Sequence, residues 1–176
     1  MVISIPIYII IRFIIFIVKK LKVNWYHEIV LLLFVMLIVG VASQTVIPKF
    51  EFGINGFGIA KNGKHAINLL PFKVIVDTYN EVFVNGHINY FIINFLGNII
   101  MFIPIGLFIP LLWNLSNKKV IFIGFCFSLF IEIFQLFLTR GTDVDDLILN
   151  TIGTILGLLL YRILYNKFKS FIIRFQ

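Results

Sequence analysis

The chain has 176 residues, of which 60% are hydrophobic and 21 are Phe, with a formal net charge of +7. Soluble domains of this size are usually about 45–50% apolar, so this composition excludes a water-soluble globular fold. The single cysteine, Cys126, excludes an intramolecular disulfide and a cysteine metal site, and is read as a small core residue.

A helix crossing the hydrocarbon needs roughly 20 apolar residues. Five stretches approach that length, at about 2–18, 29–47, 89–112, 119–138 and 147–165. The expected fold is therefore all-α: a polytopic membrane bundle of about five transmembrane helices in one domain spanning 1–176. The first stretch is short and carries Arg12, which must snorkel or be paired. Lys19, Lys20 and Lys22 follow it where a signal peptide would have small residues for cleavage, so it reads as an uncleaved, extra N-terminal helix within 1–22.

Lys19, Lys20 and Lys22, Lys118 and Lys119, and Lys167, Lys169 and Arg174 fall on one side of this topology. The positive-inside rule makes that side cytoplasmic, with the N-terminus outside and the C-terminus inside. Trp25, Tyr26, Trp113, Tyr161 and Tyr165 then lie at the inner interface and Tyr90 at the outer one, as an aromatic belt. The basic net charge thus reflects anchoring at the inner leaflet, not nucleic-acid binding.

The segment 48–88 becomes an extracytoplasmic loop too long for a plain connection. Its first part, FGINGFGIAKNGKH, is glycine-rich and reads as irregular. Its second part sets Phe72, Ile75, Val76, Tyr79, Val82 and Phe83 opposite Lys73, Asp77, Asn80 and Glu81, between Pro71 and Asn85-Gly86. That spacing predicts an amphipathic helix over 71–84, lying in the outer interface.

Polar residues inside the spans cost free energy in lipid and tend to face a partner or a cavity. In the fourth span Ser128, Glu132, Gln135 and Thr139 share one helical face; Asn94 and Asn98 do so in the third, and Asp146, Asn150, Gly153 and Gly157 in the fifth. All begin at the outer end and fade inward, beneath a loop carrying Arg140, Asp143, Asp145 and Asp146. Glu132 precedes Arg140 by eight residues, ~12 Å along a continuous helix. A lone ionised carboxylate at such depth costs on the order of 2.5–3.5 kcal/mol, so Glu132 must be paired, hydrated or protonated.

Structural roles compete for several of these residues. Gly153-x3-Gly157 suits close helix contact, and Asp143 and Asp146 suit the start of the last helix as caps. Pro104 beside Gly106 suits a kink, and Arg140 could form only a surface ion-pair knot with the aspartates. His27, His65 and His87 are isolated and carry no assignment. No metal or cofactor is expected.

Four motifs in register carry a family resemblance: Asn68-Leu-Leu-Pro71-Phe72; Asn94-x2-Gly97-Asn98 with Phe102-x-Pro104-x-Gly106; Ser128-x3-Glu132-x2-Gln135; and Arg140-x2-Asp143-x-Asp145-Asp146 with Asn150-x2-Gly153-x3-Gly157. Together they resemble the VanZ-like family of bacterial membrane proteins over about residues 30–165. Gly141-Thr142 departs from the bulkier residues expected before the aspartates, and the first helix carries no motif. The resemblance implies a bacterial cell membrane and a link to resistance to the lipid-tailed glycopeptide teicoplanin. The ligand would be a membrane lipid, a lipid-linked cell-wall precursor or a lipoglycopeptide. Arg140 would meet an anionic head group, while Asn68, Asn94, Asn98, Gln135 and Asn150 would supply neutral hydrogen bonds. Glu132 would order that network or meet a cationic group. A membrane enzyme acting on a lipid or cell-wall precursor, with Glu132 or the aspartates as base or cation ligands, and a small transporter are the alternatives.

The topology predicts that a cysteine at Lys49 reacts with a membrane-impermeant maleimide on intact cells, in a Cys126→Ala background. A cysteine at Lys118 should react only after permeabilisation. The reverse pattern would invert the orientation.

Overall fold

The computed structural model describes residues 4–19, 23–46, 50–53, 56–59, 67–68, 70–137 and 142–175. It is a helical bundle. Helix α1 spans Ser4–Lys19, α2 Trp25–Thr45, α3 Lys73–Tyr79 and α4 Ile88–Leu112; α5 spans Asn117–Leu136 and α6 Val144–Ile172. Among the described residues, α2, α4, α5 and α6 are long and apolar enough to cross a membrane. With 16 residues, α1 rises only ~24 Å, short of the ~30 Å hydrocarbon core.

Arg12 of α1 is paired. Its guanidinium grips both carboxylate oxygens of Glu28 in α2, and the Tyr8 hydroxyl donates to the same carboxylate at 3.3 Å. A two-pronged Arg–carboxylate pair fixes orientation as well as distance, so this contact moors α1 to the bundle.

The tightest packing lies between α4 and α6. A Cβ added at Gly153 would strike the carbonyl oxygen of Ile99, and one at Gly157 that of Ile103. Both contacts advance in the same sense, so α4 and α6 run parallel with backbone against backbone. Gly106 answers from α4, where a Cβ would overlap the Thr154 carbonyl. Small residues permit this approach, which supplies the dispersion contacts that drive helix association where water does not. Beneath it lie the fully covered side chains of Phe102, Ile105, Val120 and Ile131.

Helix α5 is antiparallel to α6. The pairs are matched in register: Gly124 against Thr154, Ser128 against Asn150, and Glu132 against Asp143. The end of α2 meets the end of α5, where the Gln135 amide donates to the Thr45 carbonyl at 3.4 Å. The bundle thus has a polar end, where α2 and α5 finish and α4 and α6 begin, and a basic end opposite. Cys126, expected in the core, is instead on the exposed surface of α5, because the face carrying Ser128, Glu132 and Gln135 is the one turned inward.

The glycine-rich segment is not irregular throughout. Strand β1 (Phe50–Gly53) pairs antiparallel with β2 (Gly56–Ile59), Phe50 opposite Ile59 and Gly53 opposite Gly56. The period-2 alternation of Phe50, Phe52 and of Phe57, Ile59 with Glu51 and glycines underlies the hairpin. A further pair, β3 (Ile67–Asn68) and β4 (Thr142–Asp143), is parallel and ties the loop before α3 to the start of α6. Helical structure continues past α3 as a π-helical turn over Asn80–Val84, and α4 contains a second over Phe91–Leu96. Ile75, Val76, Tyr79 and Phe83 are exposed along the α3 segment while Val74 is buried, so its broad apolar face points away from the bundle.

Replacing Gly157 by Ala should lower the thermal midpoint of the detergent-solubilised protein, since overpacking typically costs about 1–3 kcal/mol. Gly97→Ala, whose added Cβ meets only the Ile92 carbonyl at 3.5 Å, should leave the midpoint nearly unchanged. Equal midpoints for the two variants would contradict the proposed close approach of α4 and α6.

Candidate functional site

The site sits at the polar end, where Glu132, Asp143, Asp145 and Asp146 gather around the start of α6. Helix α5 stops at Leu136, only one turn, ~6 Å, past Glu132. The descending chain returns beside it: the Asp143 amide donates to Glu132 Oε2 at 3.1 Å, and the Thr142 hydroxyl to the Glu132 carbonyl at 3.3 Å. Glu132 is therefore near the helix end and partnered. The expected separation of ~12 Å from Arg140 supposed a helix continuous through Phe137, whereas α5 ends at Leu136; Arg140 itself lies outside the described residues.

Asp143 caps α6, accepting from the Asp145 amide at 2.9 Å. Both its oxygens also accept from the Asn68 amide nitrogen, at 2.9 and 3.0 Å. Asp146, the other capping candidate, does not cap; it accepts from the Asn98 side chain, which also donates to the Asn94 carbonyl at 3.0 Å.

Asp145 has a role that sequence reasoning missed. It is 2% exposed, and its oxygens accept from the amides of Phe72, at 2.5 Å, and Val74, at 2.7 Å. Those are unpaired N–H groups at the start of α3, which lacks a side-chain cap of its own. Phe72 adopts the left-handed region at φ 66°, a conformation costing a bulky residue of order 1–3 kcal/mol. The α6 carboxylate holds it there, so a residue distant in sequence fixes where the amphipathic segment begins.

Lower in the bundle, the Asn150 amide donates to Ser128 Oγ at 2.9 Å, and Thr154 Oγ1 to the Asn150 carbonyl at 3.1 Å. The side-chain oxygen of Asn150 is buried with no hydrogen-bond partner among the described residues. The stripe on α5 thus divides: Ser128 faces Asn150, Glu132 faces the loop and Gln135 reaches α2. Arg140 and Thr139 lie outside the described residues.

A cavity of about 260 Å3 opens between α3, α4 and the start of α6. Asn68, Thr142 and Asp143 form one side; Lys73 and Asp77 project from α3, Tyr90 and Asn94 from α4, and Asp146 from α6. Lys73 approaches Asp77 at 3.9 Å across one helical turn. One lysine thus faces three carboxylates, giving an acceptor-rich, negatively biased chamber. The contribution of Lys73 and Asp77 was foreshadowed by their place on the polar face of the predicted amphipathic helix. Glu132, Gln135, Asn150 and Ser128 do not line the chamber; they brace the elements that do. Among the described residues, no group of three His, Cys, Asp or Glu side chains converges to hold a metal ion.

Fold and site together define a polytopic membrane protein with a polar chamber at one end of its bundle. Residues 28–165 match the model of the VanZ/LLP1 family, and the chain belongs to that family. Over 118 residues it is 42% identical to Protein VanZ of Enterococcus faecium, covering 64% of this chain and 62% of that protein. No solved structure matches.

Asp145→Ala should release the Phe72 and Val74 amides, and hydrogen exchange over residues 72–79 should rise. Each lost charge-assisted bond is worth about 1.5–3 kcal/mol. Asp145→Asn, which keeps one acceptor, should show a smaller rise. Unchanged exchange in Asp145→Ala would mean that the carboxylate does not anchor α3.

Proposed function

We propose that this membrane protein binds a lipid-linked or lipid-like molecule at the outer face of the cell membrane and lowers susceptibility to lipoglycopeptides such as teicoplanin. The observation that carries the reading is the polar chamber of about 260 Å3 beneath an amphipathic segment whose Ile75, Val76, Tyr79 and Phe83 are exposed. A ligand with a polar head and an acyl tail meets both surfaces at once: the head enters the chamber and the tail lies along the apolar face.

The chamber's chemistry narrows the head. Asp77, Asp143, Asp146 and the Asn94 amide offer mainly acceptors, with Lys73 partly engaged by Asp77. Such a lining favours peptide N–H, hydroxyl and ammonium groups, which a glycopeptide supplies, over a bare phosphate. Arg140 would contact an anionic portion of the same ligand, and Glu132 would hold the Thr142–Asp143 strand against α5. The positive-inside rule supports placing the chamber outside the cell, because the lysine clusters gather at the opposite end of the bundle. Membership of the VanZ/LLP1 family supports the link to resistance.

Expressed in a susceptible Gram-positive host, the wild type should raise the inhibitory concentration of teicoplanin, with vancomycin run in parallel. Arg140→Ala and the Asp77→Asn, Asp146→Asn double variant, at matched membrane levels, should both lose that rise. Variants that accumulate normally and keep full resistance would refute the site; no rise for the wild type would detach the protein from resistance.

A further inference from the structure

A second cavity lies at the basic end, remote from the polar chamber, with a volume of about 350 Å3. Val30 of α2 and Leu107 and Leu111 of α4 form one wall, and Tyr161, Leu164 and Phe171 of α6 form the other. Its size falls at the lower end of the ~300–1,000 Å3 of small-molecule sites.

The cavity results from a break in α6. Phe168 leaves helical geometry at φ −129°, ψ 37°, and a 3-10 turn follows at Ile173–Phe175. Beyond the break the chain is pinned to the start of α2: Asn24 Nδ2 donates to the Arg174 carbonyl at 2.9 Å, and His27 Nδ1 lies 2.7 Å from the Phe175 carbonyl. The Tyr26 and Phe175 rings meet edge to face at 5.7 Å. The tail of α6 therefore bends across the bundle, and the space behind the bend stays open.

Among the described residues, the exposed charges on the tail of α6 are of one sign. Lys167, Lys169 and Arg174 are exposed and interleave with the lining positions Phe168, Phe171, Ile172 and Phe175. No acidic residue follows Asp146 in the chain. At the start of α2, Glu28 is neutralised by Arg12. A wholly apolar recess under a collar of cations matches the two ends of an anionic phospholipid, and basic pockets between membrane helices bind such head groups.

We propose that this recess is a specific site for an anionic phospholipid, with one acyl chain between α2, α4 and α6 and the phosphate on Lys167, Lys169 and Arg174. The bound lipid fills the space behind the Phe168 break and secures the end of α6. The site is independent of the polar chamber and of any role in resistance.

The test uses the full-length protein in nanodiscs of equal parts phosphatidylglycerol and phosphatidylcholine with matched acyl chains, released and analysed by native mass spectrometry. The wild type should retain phosphatidylglycerol in preference to phosphatidylcholine. Leu164→Trp, which fills the recess, should lose the retained lipid. The Lys167→Gln, Lys169→Gln, Arg174→Gln variant should lose the preference by roughly tenfold or more, given what each basic residue contributes near an anionic surface. A wild type released without lipid, or with both lipids equally, would overturn the proposal, as would an unchanged preference in the triple variant or undiminished lipid in folded Leu164→Trp. Should Leu164→Trp fail to accumulate, the triple variant decides alone.

Discussion

The contact on which the molecule depends is the backbone approach of α4 and α6 at Gly153 and Gly157. Lipid gives helices no hydrophobic reason to associate, so intimate packing must supply the attraction. With the carbonyls of Ile99 and Ile103 occupying the space that a side chain would need, the two helices are locked in parallel register. That register sets the Asn98 amide against Asp146. It also aligns α6 for its antiparallel match with α5, which brings Ser128 to Asn150 and Glu132 to the amide of Asp143. The polar chamber is thus a consequence of where the glycines sit two turns below it.

Buried polar groups at the chamber end are handled by mutual satisfaction. Asp145 accepts from two backbone amides, Asp143 from Asn68 and from the amide of Asp145, and Glu132 from the amide of Asp143. Each bond removes a desolvation penalty from both partners, and together they tie the loop before α3 and the Glu132 end of α5 to the start of α6. The acidic loop reads as a fastening first. Asp146, whose Oδ1 accepts from Asn98, faces the chamber with the Asp77 and Lys73 pair.

The helical bundle was legible because span length and hydropathy are properties of contiguous sequence. So were the Ser128–Glu132–Gln135 face and the Gly153-x3-Gly157 packing motif, since helical periodicity places such residues on one side without knowledge of the partner. The requirement that Arg12 be paired or snorkel was also readable, but Glu28 as its partner was not, because that choice depends on how α1 crosses α2. The Asp145 anchor on Phe72 and Val74 spans 73 and 71 residues of sequence and leaves no local signal. The end of α5 at Leu136 was hidden by the apolar residues that follow it, and the β1–β2 hairpin by the glycines that diluted its alternation. For the candidate site, the polar residues could be listed from the sequence. Their division into those that line the chamber and those that brace it required the fold.

The proposed binding of a ligand stands or falls with the chamber lined by Asp77, Asp143 and Asp146. The most direct measurement is a titration of teicoplanin into the purified protein in nanodiscs, comparing the wild type with Asp77→Asn, Asp146→Asn and the doubly substituted variant, each checked for retained helicity. The wild type should bind saturably, with affinity weakened in each single variant and binding lost in the double. Saturable binding of equal affinity in all four proteins would contradict the proposed site, as would no binding to the wild type.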